Sequence, residues 1–190
     1  FFRSRRNAEA LVAALRQRPE LDLIVVTNRV ASLRFANGAA WYTHRAQKLV
    51  RAERPTFSLY ELVSSGMVAG KLLHQPIEVH SKVMVVDDEW CTVGSANLNE
   101  RSIESEAEAN IAIADAGFAQ DLRSRLMAEH LGIDADDPRL RDVREAAATW
   151  RQLSRDNLAA RQRGELPRGH ALPFDQEPSL SLLRGRAIWF

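Results

Sequence analysis

Ile77-Glu78-Val79-His80-Ser81-Lys82-Val83-Met84-Val85-Val86-Asp87-Asp88-Glu89-Trp90-Cys91-Thr92-Val93-Gly94-Ser95-Ala96-Asn97 is the stretch on which the fold turns. Two apolar-rich runs flank the acidic cluster Asp87-Asp88-Glu89, the pattern of a β-hairpin. In a strand over Ile77 to Val86, Ile77, Val79, Ser81, Val83 and Val85 take one face, and Glu78, His80, Lys82, Met84 and Val86 the other. His80 and Lys82 therefore project together. A two-residue turn at Asp88-Glu89 pairs Asp87 with Trp90, although Asp-Glu is not a favoured hairpin turn and a longer connection is the alternative. Continuing that register sets His80 opposite Asn97 and Lys82 opposite Ser95, so that four polar side chains line one face. A slip of one residue scatters them across the sheet.

These residue types suit a phosphodiester. A Lys ammonium neutralises non-bridging oxygens, while a Ser hydroxyl and an Asn amide donate to them. Donors held in place count most where charge builds up in the transition state. A histidine, with its pKa near neutrality, attacks as an imidazole or donates a proton as an imidazolium. Glu108 is placed to orient that ring and stabilise its charged form. No H-E-x-x-H, Cys cluster or glycine-rich phosphate loop is present, so neither a metal nor a cofactor is expected. Asp87-Asp88-Glu89 reads as a solvated turn.

The spacing H-x-K-x4-D-x6-G-S-x-N, followed by Arg101-Ser102 and Glu108, resembles the HKD signature of the phospholipase D superfamily of phosphodiesterases. The resemblance is dense from Ile77 to Asn110 and looser from Phe1 to Val26. Trp150, Asn157 and Leu183-Arg184-Gly185-Arg186 are similar to the tail of true phospholipases D. It implies two motif-bearing halves about a pseudo-twofold axis, one motif histidine forming a phosphohistidine and the other protonating the leaving alcohol. Carried over, His80, Lys82, Asn97 and Glu108 are catalytic, and Lys82, Ser95 and Asn97 bind the phosphate. Asp87, Gly94, Arg101 and Ser102 support the motif, and His80 takes the acid/base role with nucleophile as the alternative. Asn99 and Glu106 stand where family members usually carry Asp. Only one motif is present, since none of His44, His74, His130 and His170 has a Lys two residues on. The complementary half is expected upstream in the same polypeptide, or from a dimer partner. The start at Phe1-Phe2, without an initiator Met, reads as the middle of a longer chain.

Composition narrows the partners. Net charge is +1 over 190 residues, which argues against a surface that coats nucleic acid. The basic residues are 23 Arg and three Lys, which makes a Lys inside the motif unlikely to be incidental. The single Cys91 excludes an internal disulfide. The longest clean apolar run, Leu23 to Val26, is too short to span a bilayer, so a cytoplasmic or peripheral membrane location is expected. The Arg-rich face from Arg139 to Arg168 reads as a solvated helix face, with contact to anionic lipid as the functional alternative.

Around the motif the chain alternates helix and strand. A helix is expected from Arg5 to Arg18, stopped by Pro19, then a buried strand from Leu21 to Thr27. A turn follows at Asn37-Gly38, a helix from Tyr42 to Glu53, a short strand from Thr56 to Leu62, and a loop at Ser64-Ser65-Gly66 and Gly70. After the hairpin come a strand from Ala107 to Ala114 and a helix from Gly117 to His130. That helix is capped by Asp115, with Phe118, Leu122, Leu126 and Leu131 inward. Pro138 opens another amphipathic helix through Leu158, and the tail from Gly164 is irregular up to a strand at Ala187–Phe190. The fold class is α/β: half of a phospholipase D-like fold, a mixed sheet flanked by helices, with a helical and irregular C-terminal extension. Residues 1–135 form the catalytic half and 136–190 the extension. The leading function is cleavage or transfer of a phospholipid headgroup phosphodiester. A phosphatidyltransferase of the cardiolipin synthase kind, a single-motif dimeric nuclease and a non-catalytic scaffold are the alternatives.

Overall fold

A computed structural model describes residues 4–28, 49–50, 52–53 and 58–174. The Asn37-Gly38 turn, His44, most of the helix expected over Tyr42–Glu53 and the tail strand at Ala187–Phe190 lie outside them; residues 49–50 and 52–53 are helical. Helix α1 (Arg5–Gln17) opens where the Ser4 hydroxyl accepts from the Asn7 amide at 3.2 Å, and buries Ala8 and Leu15. Strand β1 (Ile24–Val26) is shorter than expected. It runs parallel to β2 (Ser58–Val68), with Ile24 opposite Ser58 and Val26 opposite Tyr60. A parallel pair needs a long crossover, so the α/β architecture is set here.

The loop expected at Ser64-Ser65-Gly66 is instead strand. β2 continues through it, and β3 (Lys71–Pro76) returns antiparallel, Val63 opposite Pro76 and Val68 opposite Lys71. Only Ala69 and Gly70 turn, both at positive φ (48° and 75°), as a tight two-residue hairpin loop demands. Small polar residues hid this arm because they break the apolar alternation that marks a strand.

The second sheet is β4 (Lys82–Val86), β5 (Trp90–Gly94) and β6 (Asn110–Ile113), antiparallel in that order, with the short helix α2 (Glu100–Glu104) between β5 and β6. Two expectations are corrected. The strand begins at Lys82, not Ile77. The hairpin turn holds three residues, Asp87-Asp88-Glu89, so Val86 pairs with Trp90 and Lys82 with Gly94, one residue away from the expected register. A two-residue loop needs positive φ at both centres, which Glu tolerates poorly. Asp87 and Asp88 take φ of 52° and 58° instead, and the Glu89 amide donates to the Val86 carbonyl at 3.0 Å.

Helix α3 (Ala116–Leu131) is capped by Asp115, which accepts from the Phe118 amide at 2.8 Å, and ends at Gly132 in the left-handed region. Its buried stripe is Ala119, Arg123, Met127, Ala128 and Leu131, while Phe118 is 47 % exposed rather than inward. An arginine at the centre of that stripe disguised its phase. A 3-10 turn (Pro138–Leu140) leads into α4 (Val143–Gln162), whose Asp142 cap accepts from the Arg144 and Glu145 amides. The tail expected to be irregular after Gly164 contains a strand, β7 (Ala171–Pro173), antiparallel to β2 with Leu62 opposite Ala171. Trp150 and Ala171 share one core with Tyr60, Leu62, Met127, Leu131 and Leu140. The Tyr60 and His130 rings both meet the Trp150 indole edge-on, at 5.4 and 5.8 Å.

Three arginines of the Arg-rich segment are in ion pairs: Arg139 with Asp137, Arg151 with Asp22 and Arg163 with Glu165. Such exposed pairs add little stability. Arg123 is different. It is buried, forks onto both carboxylate oxygens of Asp88 at 2.5 and 2.7 Å, and donates to the Leu140 carbonyl at 2.8 Å. Asp88, read from sequence as a solvated turn residue, thereby ties the motif hairpin to α3. Arg123→Met leaves that carboxylate without its partner and should lower unfolding free energy by about 3 kcal/mol. Arg123→Met with Asp88→Asn should recover part of the loss in urea titrations.

Candidate active site

The two sheets meet just ahead of the motif strand. Residues 77–81 belong to no strand, and their backbone groups find other partners. The Ile77 amide donates to the Leu62 carbonyl at 2.9 Å. The Asn28 side chain then takes both polar groups of Val79, its Oδ1 accepting from the amide at 2.6 Å and its Nδ2 donating to the carbonyl at 2.8 Å. A carboxamide carries one acceptor and one donor in the geometry of a peptide, so Asn28 extends the edge of β1 by one residue without backbone. The next residue is His80. Sequence reading missed Asn28, because an Asn at a strand end looks like a turn former.

His80 is exposed, and among the described residues its ring makes no hydrogen bond. Lys82 is half-buried, with Nζ donating to the His80 carbonyl at 2.6 Å. Opposite it, Gly94 has no side chain for a structural reason: a Cβ there would overlap the Ala109 carbonyl and the Asn110 amide. Ser95 leaves the strand. Its hydroxyl donates to Glu108 at 2.5 Å and accepts from the Ala109 amide at 3.0 Å. Asn110 holds the following turn, accepting from the Ala96 amide at 3.1 Å and donating to the Thr92 hydroxyl at 3.2 Å. Asn97 is half-buried in the bend beyond, where its carbonyl accepts from the Asn99 amide at 2.8 Å.

The structure thus gathers Lys82, Ser95, Ser102 and Glu108. It does not bring Glu108 onto the His80 ring: the carboxylate expected there is engaged by Ser95 instead. The cause is the register, which places the Ser95 turn across from residues 108 and 109 and leaves His80 ahead of the paired strand. Glu108 is held below the ordinary Glu range, first by the Ser102 hydroxyl beside it, then by Ser95, with the Lys82 charge adding less and desolvation opposing. The Ser102 hydroxyl is buried without reaching full hydrogen-bond geometry. Its amide is capped by the Asn99 side chain at 2.9 Å, so Asn99 starts α2. Arg101 pairs with Glu106. Asp87 is exposed at the hairpin turn, where its neighbour Asp88 carries the ionic contact. His74 is half-buried and bonded to Ser65 at 2.8 Å, and Trp90 is half-buried. Among the described residues no His, Cys, Asp or Glu cluster is arranged to hold a metal ion, and no helix is long and apolar enough to cross a membrane.

This arrangement is that of one class of protein. Residues 1–129 match the family model described as cardiolipin synthase, PLD-like domain, and the chain belongs to that phospholipase D-like family. Among characterised proteins it is similar to cardiolipin synthase B of Escherichia coli O6:H1, 36 % identical over 98 residues that cover 52 % of this chain and 22 % of that protein. It is also similar to phospholipase D1 of Saccharomyces cerevisiae, 40 % identical over 83 residues (35 % and 5 %). Phospholipase D gamma 3 of Arabidopsis thaliana is 36 % identical over 115 residues (52 % and 13 %). The matched region therefore spans about a fifth or less of each relative's length.

Two outcomes follow from the geometry. Ser95→Ala removes one donor from Glu108, so the carboxyl pKa should rise toward its ordinary 4.5, read by carboxyl carbon shifts in a pH titration. The sign follows from the depressed value: Glu108 stabilises the fold above its unfolded pKa, and that stability is lost as pH falls through the folded one. Separately, Asn28→Ala should cost about 1–2 kcal/mol and speed hydrogen exchange at the Val79 amide, while core amides keep the ordering of their exchange rates.

Proposed function

We propose that the chain carries one half of a phosphodiesterase site and acts on the headgroup phosphodiester of a phospholipid. The observation that carries this reading is an exposed imidazole at His80, unpartnered among the described residues, with the Lys82 ammonium held against its own backbone carbonyl. Family membership and the names of the relatives support the substrate class. In this reading a second motif comes from further sequence of the same polypeptide or from a dimer partner. Its histidine attacks phosphorus, a nitrogen–phosphorus bond forms and the ester oxygen leaves. His80 gives that oxygen its proton, then withdraws one from the incoming water or alcohol as the phosphohistidine breaks. Lys82 and Asn97 hold the non-bridging oxygens, and Ser95 joins them by turning its one hydroxyl proton from Glu108 to the phosphate. No metal is required.

Water as acceptor makes the enzyme a phospholipase D. A second lipid alcohol makes it a phosphatidyltransferase of the cardiolipin synthase kind. The C-terminal resemblance to phospholipases D favours water. The test is turnover of phosphatidylcholine and phosphatidylglycerol by the polypeptide carrying both motifs, with and without chelator. His80→Ala should lose at least about 100-fold in kcat and keep its melting temperature, and chelator should change nothing. Undiminished turnover in His80→Ala overturns the assignment, and cleavage of single-stranded DNA without lipid turnover replaces it with a nuclease.

A further inference from the structure

The β2–β3 arm has no part in the site, yet it exposes three large apolar side chains close together. Residues 64–68 and 71–75 pair with one another and with no other described strand. Met67, Val68 and Leu73 are 60, 57 and 52 % exposed. Isolated two-stranded ribbons are marginal in water, and this one is anchored only at its base, where Leu62 bonds to Ile77 and Val63 faces Pro76. The tip is apolar even at Ala69, a left-handed position that Asn or Gly fills more cheaply. Charge is biased as well. The chain has 25 acidic residues in 190, yet none falls between Glu61 and Glu78, where Lys71 is the one fixed charge.

We infer that this arm docks the protein on an anionic lipid bilayer, with Met67, Val68 and Leu73 entering the interface and Lys71 meeting headgroup phosphates. The inference rests on the phospholipid reading above. Register decides for a bilayer over a protein groove. Met67 pairs with Leu72 on one face of the ribbon, while Val68 and Leu73 project from the other. A groove buries one face, whereas a fluid interface surrounds both. Insertion stops at the tip, because the outer edges of both strands present backbone groups that hydrocarbon cannot satisfy. The arm extends about 17 Å over residues 64–68. From its base only a few residues lead to His80, so the anchor and the proposed catalytic histidine are joined by the shortest available path.

Co-sedimentation of the 190-residue chain with phosphatidylcholine vesicles, with and without phosphatidylglycerol, tests this. The wild-type chain should bind the mixed vesicles, and Met67→Ser with Val68→Ser should weaken binding roughly 100-fold, about tenfold for each apolar side chain. Lys71→Gln should lose about fivefold on charged vesicles and nothing on neutral ones. Tryptophan emission from Met67→Trp should shift to the blue on binding. Circular dichroism and melting should be unchanged, since the tip packs on no other described element. In the polypeptide carrying both motifs, hydrolysis of a soluble short-chain phosphodiester should be the same for wild type and the tip variants. Absence of that hydrolysis in the wild type counts against the proposed function alone, and the vesicle measurements still judge the arm. Equal vesicle affinity for wild type and the double variant overturns the inference. So does a dimer that the double variant dissolves while vesicles are ignored, because the arm is then a contact between protein copies.

Discussion

The Asn28 carboxamide joins the two sheets just ahead of the motif strand. Asn28 lies just past the parallel strand of one sheet, Val79 precedes the motif strand of the other, and two hydrogen bonds at 2.6 and 2.8 Å close the gap. The segment 77–81 has no ladder of its own. Without those bonds its peptide groups would be left to water, and His80 would hang from an unpaired stretch of chain. The bond from Ile77 to Leu62 fixes the same segment from the other side. His80 can stay exposed because its backbone, and not its ring, is what the fold restrains.

Electrostatics around that joint are arranged in opposite ways at the two ends of the hairpin. At the turn, Asp88 is consumed by a buried guanidinium, an interaction that holds geometry and offers nothing to a ligand. At the open end, Lys82 is in no ion pair among the described residues and donates its ammonium to a backbone carbonyl, a weaker partner than an anionic oxygen. Glu108 keeps its charge mainly through the Ser102 and Ser95 hydroxyls, with the Lys82 charge adding less. A full salt bridge between Lys82 and Glu108 would have cancelled the positive field on which an anion depends. Hydroxyls hold the carboxylate in place and leave that field standing.

Much of this was legible in the chain. The motif spacing identified the family, the caps at Asp115 and Gly132 bounded α3, and the alternation of Val83 and Val85 with Met84 and Val86 marked β4. What stayed hidden shares a physical cause: a side chain substituting for backbone or apolar bulk. Asn28 acts as a strand residue through its amide, and Arg123 occupies a core stripe as an ion with its partners supplied. Ser64-Ser65-Gly66 forms a ribbon that pairs with no described strand but its own return strand, so no apolar face marks it. Periodicity reports which side chains meet a core, and none of these three is there for that reason.

The register was the sharpest case. Pairing Lys82 with Ser95 looked right because it put an ammonium and a hydroxyl side by side, the two groups expected to meet a phosphate. The observed partner, Gly94, solves a problem that pairing ignored. β6 must come close enough for Asn110 to hold the turn after Gly94, and a Cβ at that position would collide with Ala109 and Asn110. With glycine there, Ser95 is released from the ladder just where its hydroxyl can reach across to residue 108. The three-residue turn at the far end, made possible by two aspartates at positive φ, supplies the one-residue offset that this requires. Turn geometry at Asp87-Asp88 and close packing at Gly94 are therefore two ends of one constraint, and the Ser95–Glu108 contact is its product.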